Sequence, residues 1–220
     1  MICSLSPADL GRYLEVQLNH FFPDPHPVEA AMLLRALPVA LARLEKIQRV
    51  VQNKYYRHEG KPFFNHLNAD HYATFLYLLA HGLGGEMAGR GVATKVFLLN
   101  KALHALDVYF EVKLPEIFLF AHPVGTVLGR AQYGNYFVVT QNCTVGNVDG
   151  QYPVFGTGVV LLSNSSVLGR CRIGNDVCVG AGSLVINADI PGGHNAVGRA
   201  AELRAFPAKM PKWRNYFSVE

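Results

Sequence analysis

The side chain in this sequence best suited to chemistry near neutral pH is His122, in the run LFAHPVGTVLG. An exposed imidazole that titrates near pH 7 can take a proton from a hydroxyl or an amine and return it to a leaving group, which is general-base work. Of the nine histidines, only His122 and His194 fall in or beside the second half of the chain, where Gly, Asn and β-branched residues dominate. A catalytic metal centre needs about three protein ligands, typically His. Two distant histidines and no acidic cluster speak against one, so no metal is expected. The other reading of His122 is a hydrogen-bonded structural histidine beside Pro123. The four cysteines, Cys3, Cys143, Cys171 and Cys178, have neither CxxC spacing nor the density of a disulfide scaffold. They read as buried thiols of a reducing compartment, and a cytoplasmic location is expected.

Whatever positions His122 must come from the segment it opens. From Phe155 onward an apolar residue recurs at Leu161, Val167, Ile173, Val179 and Val185, always six residues on. A helix of 3.6 residues per turn cannot keep six-spaced residues on one face. A parallel β-helix can: three short strands per coil, each with one inward apolar side chain and a tight corner after it. Gly174, Asn175, Asp176, Gly180 and Gly182 suit those corners. The same beat is visible earlier at Tyr133, Val139 and Val145, slipping by one residue near Gly129. A longer step to Phe155 leaves room for a protruding loop, NVDGQYP. The beat ends at Asp189-Ile190-Pro191 and returns briefly at Val197.

Before about residue 110 the pattern is helical. Ser6-Pro7-Ala8-Asp9 reads as a cap, a proline at the first helical position and an acid in the first turn. Pro27 can open a second helix, in which Leu37, Leu41, Leu44, Val51 and Tyr55 share a face past a kink at Pro38. Asp70 can cap a third, His71 to His81, and Val92 to about Phe110 gives a fourth. The expected class is α+β: an α-helical domain over 1–111, a parallel β-helix of hexapeptide repeats over 112–198 and a basic tail over 199–220. A net charge of +4 is too mild to imply nucleic acid, no apolar run approaches a bilayer span, and the start lacks the features of a signal peptide. A charged fraction of only 16% hints at buried subunit contacts.

The runs HPVGTVLG, QNCTVGN and YPVFGTGVVLLSNSSVLGRCRIGNDVCVGAGSLVINADIP resemble the serine acetyltransferase branch of the hexapeptide-repeat acyltransferases, over about residues 100–201. More loosely, NADHYATFLYLL and KALHAL resemble that family's helical domain. The resemblance implies a left-handed β-helix, assembly as a homotrimer or dimer of trimers with sites between neighbouring coils, and acetyl-CoA as co-substrate. It places the catalytic base at His122 and a supporting carboxylate at Glu111, with Glu116 as substitute, because the acid that directly precedes the family's histidine is Ala121 here. It places CoA against Gly146, Ser163, Gly180 and Ala181, with Arg199, Arg204, Lys209, Lys212 and Arg214 available to its phosphates. Those glycines also suit coil corners, and those cations also suit a solvated tail.

Two departures bear on the acceptor. The family's loop ends in Arg-His-Pro, which holds the serine carboxylate; this chain has Gln151-Tyr152-Pro153. The family's acid for the serine amine falls at His66. Serine is therefore doubtful as acceptor, and Tyr152 could stack on a sugar ring or only pack its loop. The readings carried forward are an acetyl-CoA-dependent O-acetyltransferase of a small hydroxyl acceptor, a sugar O- or N-acetyltransferase of polysaccharide biosynthesis, and an inactive β-helix assembly module. The family's partnership with cysteine synthase uses a C-terminal isoleucine; with Ser218-Val219-Glu220 there, no such complex is expected.

Overall fold

The computed structural model describes residues 1–218; Val219 and Glu220, on which the cysteine-synthase expectation rests, lie outside them. Four helices come first: α1 (Pro7–Phe21), α2 (Ala30–Val50), α3 (Ala69–Leu83) and α4 (Arg90–His104). A small sheet lies among them, with β1 (Ile2–Cys3) parallel to β3 (Lys61–Phe64) and β2 (Arg57–His58) antiparallel to it. Ser6 caps α1 as the sequence implies, its Oγ accepting the Asp9 N–H at 3.1 Å. Helix α2 begins at Ala30 rather than Pro27 and ends before Tyr55, which lies exposed on the following turn. Helix α3 is capped by Asn68 and not by Asp70: the Asn68 carboxamide oxygen accepts the N–H groups of Asp70 and His71. The Asp70 carboxylate is thereby released from capping. Helix α4 stops at His104, where Ala105 turns left-handed at φ 51°.

Every residue of α3 from His71 to Ala80 is buried, as a helix apolar on all sides must be. Tyr77 couples this central helix to the second half. Its hydroxyl donates to the Val112 carbonyl at 2.7 Å and accepts the Leu114 N–H at 3.0 Å, and its ring packs against Phe118 and Phe120. Burial pushes its pKa up to about 12.

The second half is a parallel β-solenoid with three walls. The first wall stacks β4 (Phe118–Phe120), β6 (Phe137–Val139), β9 (Val160–Leu161), β12 (Cys178–Val179) and β14 (His194–Val197). The second stacks β5 (Val127–Leu128), β7 (Thr144–Gly146), β10 (Ser166–Leu168) and β13 (Leu184–Ile186). The third pairs β8 (Val154–Phe155) with β11 (Arg172–Ile173) and is extended by bridges from Gln132 and Ile190. Antiparallel β15 (Arg204–Pro207) covers the last first-wall strand. All six beat residues from Phe155 to Val185 are buried inside the coils, and Tyr133 stacks flat on Phe155 at 5.4 Å. The final coil differs from the expected reading. Ile190 continues the beat, bridging to Ile173, and Ala196 pairs with Val179, both buried; Val197 points outward and is 41% exposed. One corner is a residue short, which shifts the inward position from Val197 to Ala196. The NVDGQYP insertion is a tight hairpin: Val148 and Gln151 exchange both backbone bonds around Asp149 (φ 50°) and Gly150 (φ 74°), the pattern of a type I′ turn.

The outward column of the first wall, Leu119, Val138, Val160 and Cys178, is also buried. The C-terminal segment lies along it. Trp213 stacks on Tyr136 at 4.8 Å and donates Nε1–H to Asp176 Oδ1 at 2.6 Å, and Phe217 bridges to Val51. Gly158 makes room: a Cβ there would meet the indole at 2.4 Å, and its φ is +73°. Trp213→Phe is expected to lower unfolding free energy by about 1–2 kcal/mol, the value of a hydrogen bond to a charged group lost with some packing, read by urea denaturation.

Candidate active site

His122 stands two residues beyond the first-wall strand β4, at the first coil corner, with φ 52° and its side chain 86% exposed. The corners above it stack into an edge: the Asn142 N–H donates to the Val124 carbonyl, Asn164 to Gln141 and Gly182 to Ser163, at 2.8–3.0 Å. Asn142, Asn164 and Gly182 are all left-handed, the conformation for which Asn and Gly are favoured. Ser163, Gly180 and Ala181 therefore lie on the same edge as His122. Arg199 joins them, its guanidinium 3.4 Å from the Gly182 carbonyl. Gly146 does not; its carbonyl accepts the Gly169 N–H on a second edge. Lys209 follows Ala208, which bonds to Gly193 on the third edge. Coils rise by about 4.8 Å each, so the four steps from the His122 corner to Arg199 span about 19 Å.

The carboxylate beside His122 is Asp70. Both its oxygens lie 3.1 Å from the His122 backbone nitrogen and accept that N–H, and Oδ2 is 3.6 Å from His122 Nδ1. Asp70 is partly buried, its side chain 16% exposed. Burial raises its pKa, while the His122 N–H and the positive charge of His122 pull it back. With a proton on Nδ1 facing this carboxylate, His122 Nε2 carries the basic lone pair away from it.

The expected supporting acids stand elsewhere. Glu111 pairs with the Arg90 guanidinium and with Arg130 at 2.9 Å, which hold its pKa down. Glu116 pairs with Lys46 at 2.9 Å. Neither lines the His122 cleft. Tyr152 packs over Gly129 and its hydroxyl lies 3.5 Å from Asn147 Nδ2. His66 bonds to Ser4 at 2.8 Å and meets the edge of Tyr13. Both are likewise outside the cleft. Asp70 stands in the quoted NADHYATFLYLL run, but its position before a helix reads as a cap, and no spacing rule joins it to a histidine 52 residues away.

The cleft itself holds about 420 Å³ and is lined by Val51–Lys54, Tyr56, Asp70, Leu119, Ala121, His122, Asn215 and Tyr216. A smaller hollow of about 280 Å³ shares Asn53, Tyr56, Asp70 and His122 and adds Tyr55, Asn68 and Ala69. Beneath it Tyr56 and His71 lie ring to ring at 4.2 Å, and neither the Tyr56 hydroxyl nor His71 Nε2 has a hydrogen-bond partner among the described residues. His71 Nδ1 accepts the Asn65 N–H at 3.2 Å, and burial holds its pKa near about 4. The unfolded His71 binds a proton below its ordinary value of 6.5, the folded one only near 4. Its contribution to stability is thus full above pH 6.5 and falls as pH drops through that window. A loss on the order of 3 kcal/mol by pH 4 is expected, read as a falling thermal midpoint that His71→Phe flattens.

Among the described residues no group of three His, Cys, Asp or Glu side chains could hold a metal ion, and no helix is long and apolar enough to cross a membrane. No family model matches the chain. A curated serine acetyltransferase of Synechococcus elongatus is 30% identical over 105 residues, 46% of this chain and 43% of that protein. One from Helicobacter pylori is 26% identical over 136 residues, 60% of this chain and 78% of that protein. Solved serine acetyltransferases of Brucella abortus and Neisseria gonorrhoeae superpose with a TM-score of 0.69 each, at 17% and 20% identity, covering 94% and 96% of this chain and 85% and 82% of theirs. The chain is serine acetyltransferase-like in sequence and in fold. It spans less than half the length of the first of these curated relatives. The helical region followed by a parallel solenoid of about four turns is the architecture of the serine acetyltransferase structures.

Proposed function

We propose that this protein transfers the acetyl group of acetyl-CoA to a hydroxyl, with His122 as general base and Asp70 as its orienting carboxylate. The observation that carries the reading is the Asp70–His122 pair at the foot of an open solenoid edge. The acid that precedes the family's histidine is Ala121 here; a partly buried carboxylate from the helical half lies beside the imidazole instead. That answers the missing acid, which together with the altered loop favours an inactive assembly module.

In the reaction, Nε2 of neutral His122 accepts the proton of the acceptor hydroxyl as its oxygen bonds to the thioester carbonyl carbon. The charge that develops on the imidazolium is balanced by Asp70. The tetrahedral oxyanion collapses, the carbon–sulfur bond breaks, and the imidazolium returns the proton to the CoA thiolate. The products are an acetyl ester and free CoA. The edge carrying Ser163, Gly180, Ala181 and Arg199 is the proposed CoA track, with Arg199 at its phosphate end. Its length suits an extended pantetheine arm whose sulfur reaches His122. The assembly we propose is a homotrimer or a dimer of trimers, the edge of one coil stack facing its neighbour. Calorimetry with CoA and a thiol-release assay with acetyl-CoA test the reading together; absence of CoA binding would sink it.

A further inference from the structure

The cleft beside His122 also carries information about the acceptor, and the argument rests on the acyltransferase reading above. Its polar lining is mostly neutral. The Asn53 carboxamide oxygen is occupied by the Tyr55 N–H, and that of Asn68 by two helix N–H groups, which leaves the NH₂ end of each as a donor. Asn215 adds a third carboxamide to the cleft lining, and Asp70 supplies acceptor lone pairs. Tyr55 lines the smaller hollow and is 63% exposed. An exposed aromatic face among fixed amide donors and one carboxylate matches a molecule with hydroxyls on its rim and C–H bonds on its face. The cation in the lining, Lys54, lies over the Tyr55 ring, with Nζ 5.1 Å from the centroid. Among the described residues, no guanidinium lines either hollow to grip a carboxylate bidentately.

We propose that the acceptor is a neutral, polyhydroxylated ring compound of the carbohydrate class, and that Tyr55 is the residue on which it stacks. The hydroxyl to be acetylated faces His122 Nε2, and its neighbours bond to Asn53, Asn68 and Asp70.

The test compares methyl α-D-glucopyranoside, methyl β-D-galactopyranoside and L-serine as acceptors with acetyl-CoA, following released thiol. At equal concentration at least one glycoside is expected to be acetylated faster than L-serine. Tyr55→Ala is expected to raise the KM for that glycoside at least tenfold. Its kcat, the KM for acetyl-CoA and the thermal midpoint should be unchanged, because this side chain is mostly in solvent. Tyr55→Trp should restore the KM. Preference for L-serine, acetylation of neither glycoside, or a Tyr55→Ala enzyme with unaltered glycoside KM overturns the proposal. CoA calorimetry on the same preparations separates the two levels: CoA bound with serine acetylated removes the carbohydrate assignment alone, whereas no CoA binding removes the acyltransferase reading with it.

Discussion

His122→Ala is expected to lower acetyl transfer by about 10³-fold, the middle of the range for removing a positioned general base. CoA affinity and oligomeric mass should stay within error. The side chain is 86% exposed and fills no core space, so truncation leaves no cavity. Its structural anchor is the backbone N–H held by Asp70, which alanine retains. Alanine does cost something in the left-handed region that this corner requires. His122→Asn, which tolerates that conformation and has no base, therefore serves as the second variant. Transfer at the parent rate in both would remove His122 from the mechanism.

Asp70→Asn is expected to lower kcat by about 10²-fold or more, with little change in the KM for acetyl-CoA. The amide keeps an oxygen for the His122 N–H, so the corner survives. The charge that balances the imidazolium in the transition state is lost, and the amide NH₂ faces Nδ1, which favours the wrong tautomer. The defect should be present across the pH profile rather than confined to one limb. Glu111→Gln is the matched control. It removes a charge of the same sign from the surface pair with Arg90 and Arg130 and should leave kcat unchanged. If Glu111→Gln reduced kcat and Asp70→Asn did not, the roles would be reversed from those the geometry supports.

The solenoid was legible because its geometry writes itself into the sequence: one inward side chain per strand produces a fixed beat, and the beat residues from Phe155 to Val185 all lie inside. Where a corner loses a residue, at Ile190, the count slips and so did the expectation. The course of the tail was not legible for a different reason. Its lysines and arginines suggest solvent, but Trp213 and Phe217 decide where it goes. A second signal was present in the strands it covers. FVV, VVL and VCV are apolar on both faces, as a wall buried on both sides must be, and TVG alternates, but LVI is also apolar throughout and its outer residues are partly exposed, so the signal is incomplete. The contact between Asp70 and His122 was not legible, since it depends on how two halves of the chain dock. Asn68 and Asp70 compete for one capping position, and either could have taken it.

The bridge from Val51 to Phe217 has a consequence for biosynthesis. During translation the helices leave the ribosome first and the solenoid follows coil by coil, each rung pairing with the one just made. The cleft cannot be finished on that schedule, because Asn215 and Tyr216, which help to line it, are made only after the last rung. A nascent chain stalled before Trp213 would thus hold every rung and its imidazole, yet leave the Val138–Val160 column open to water and to chance associations.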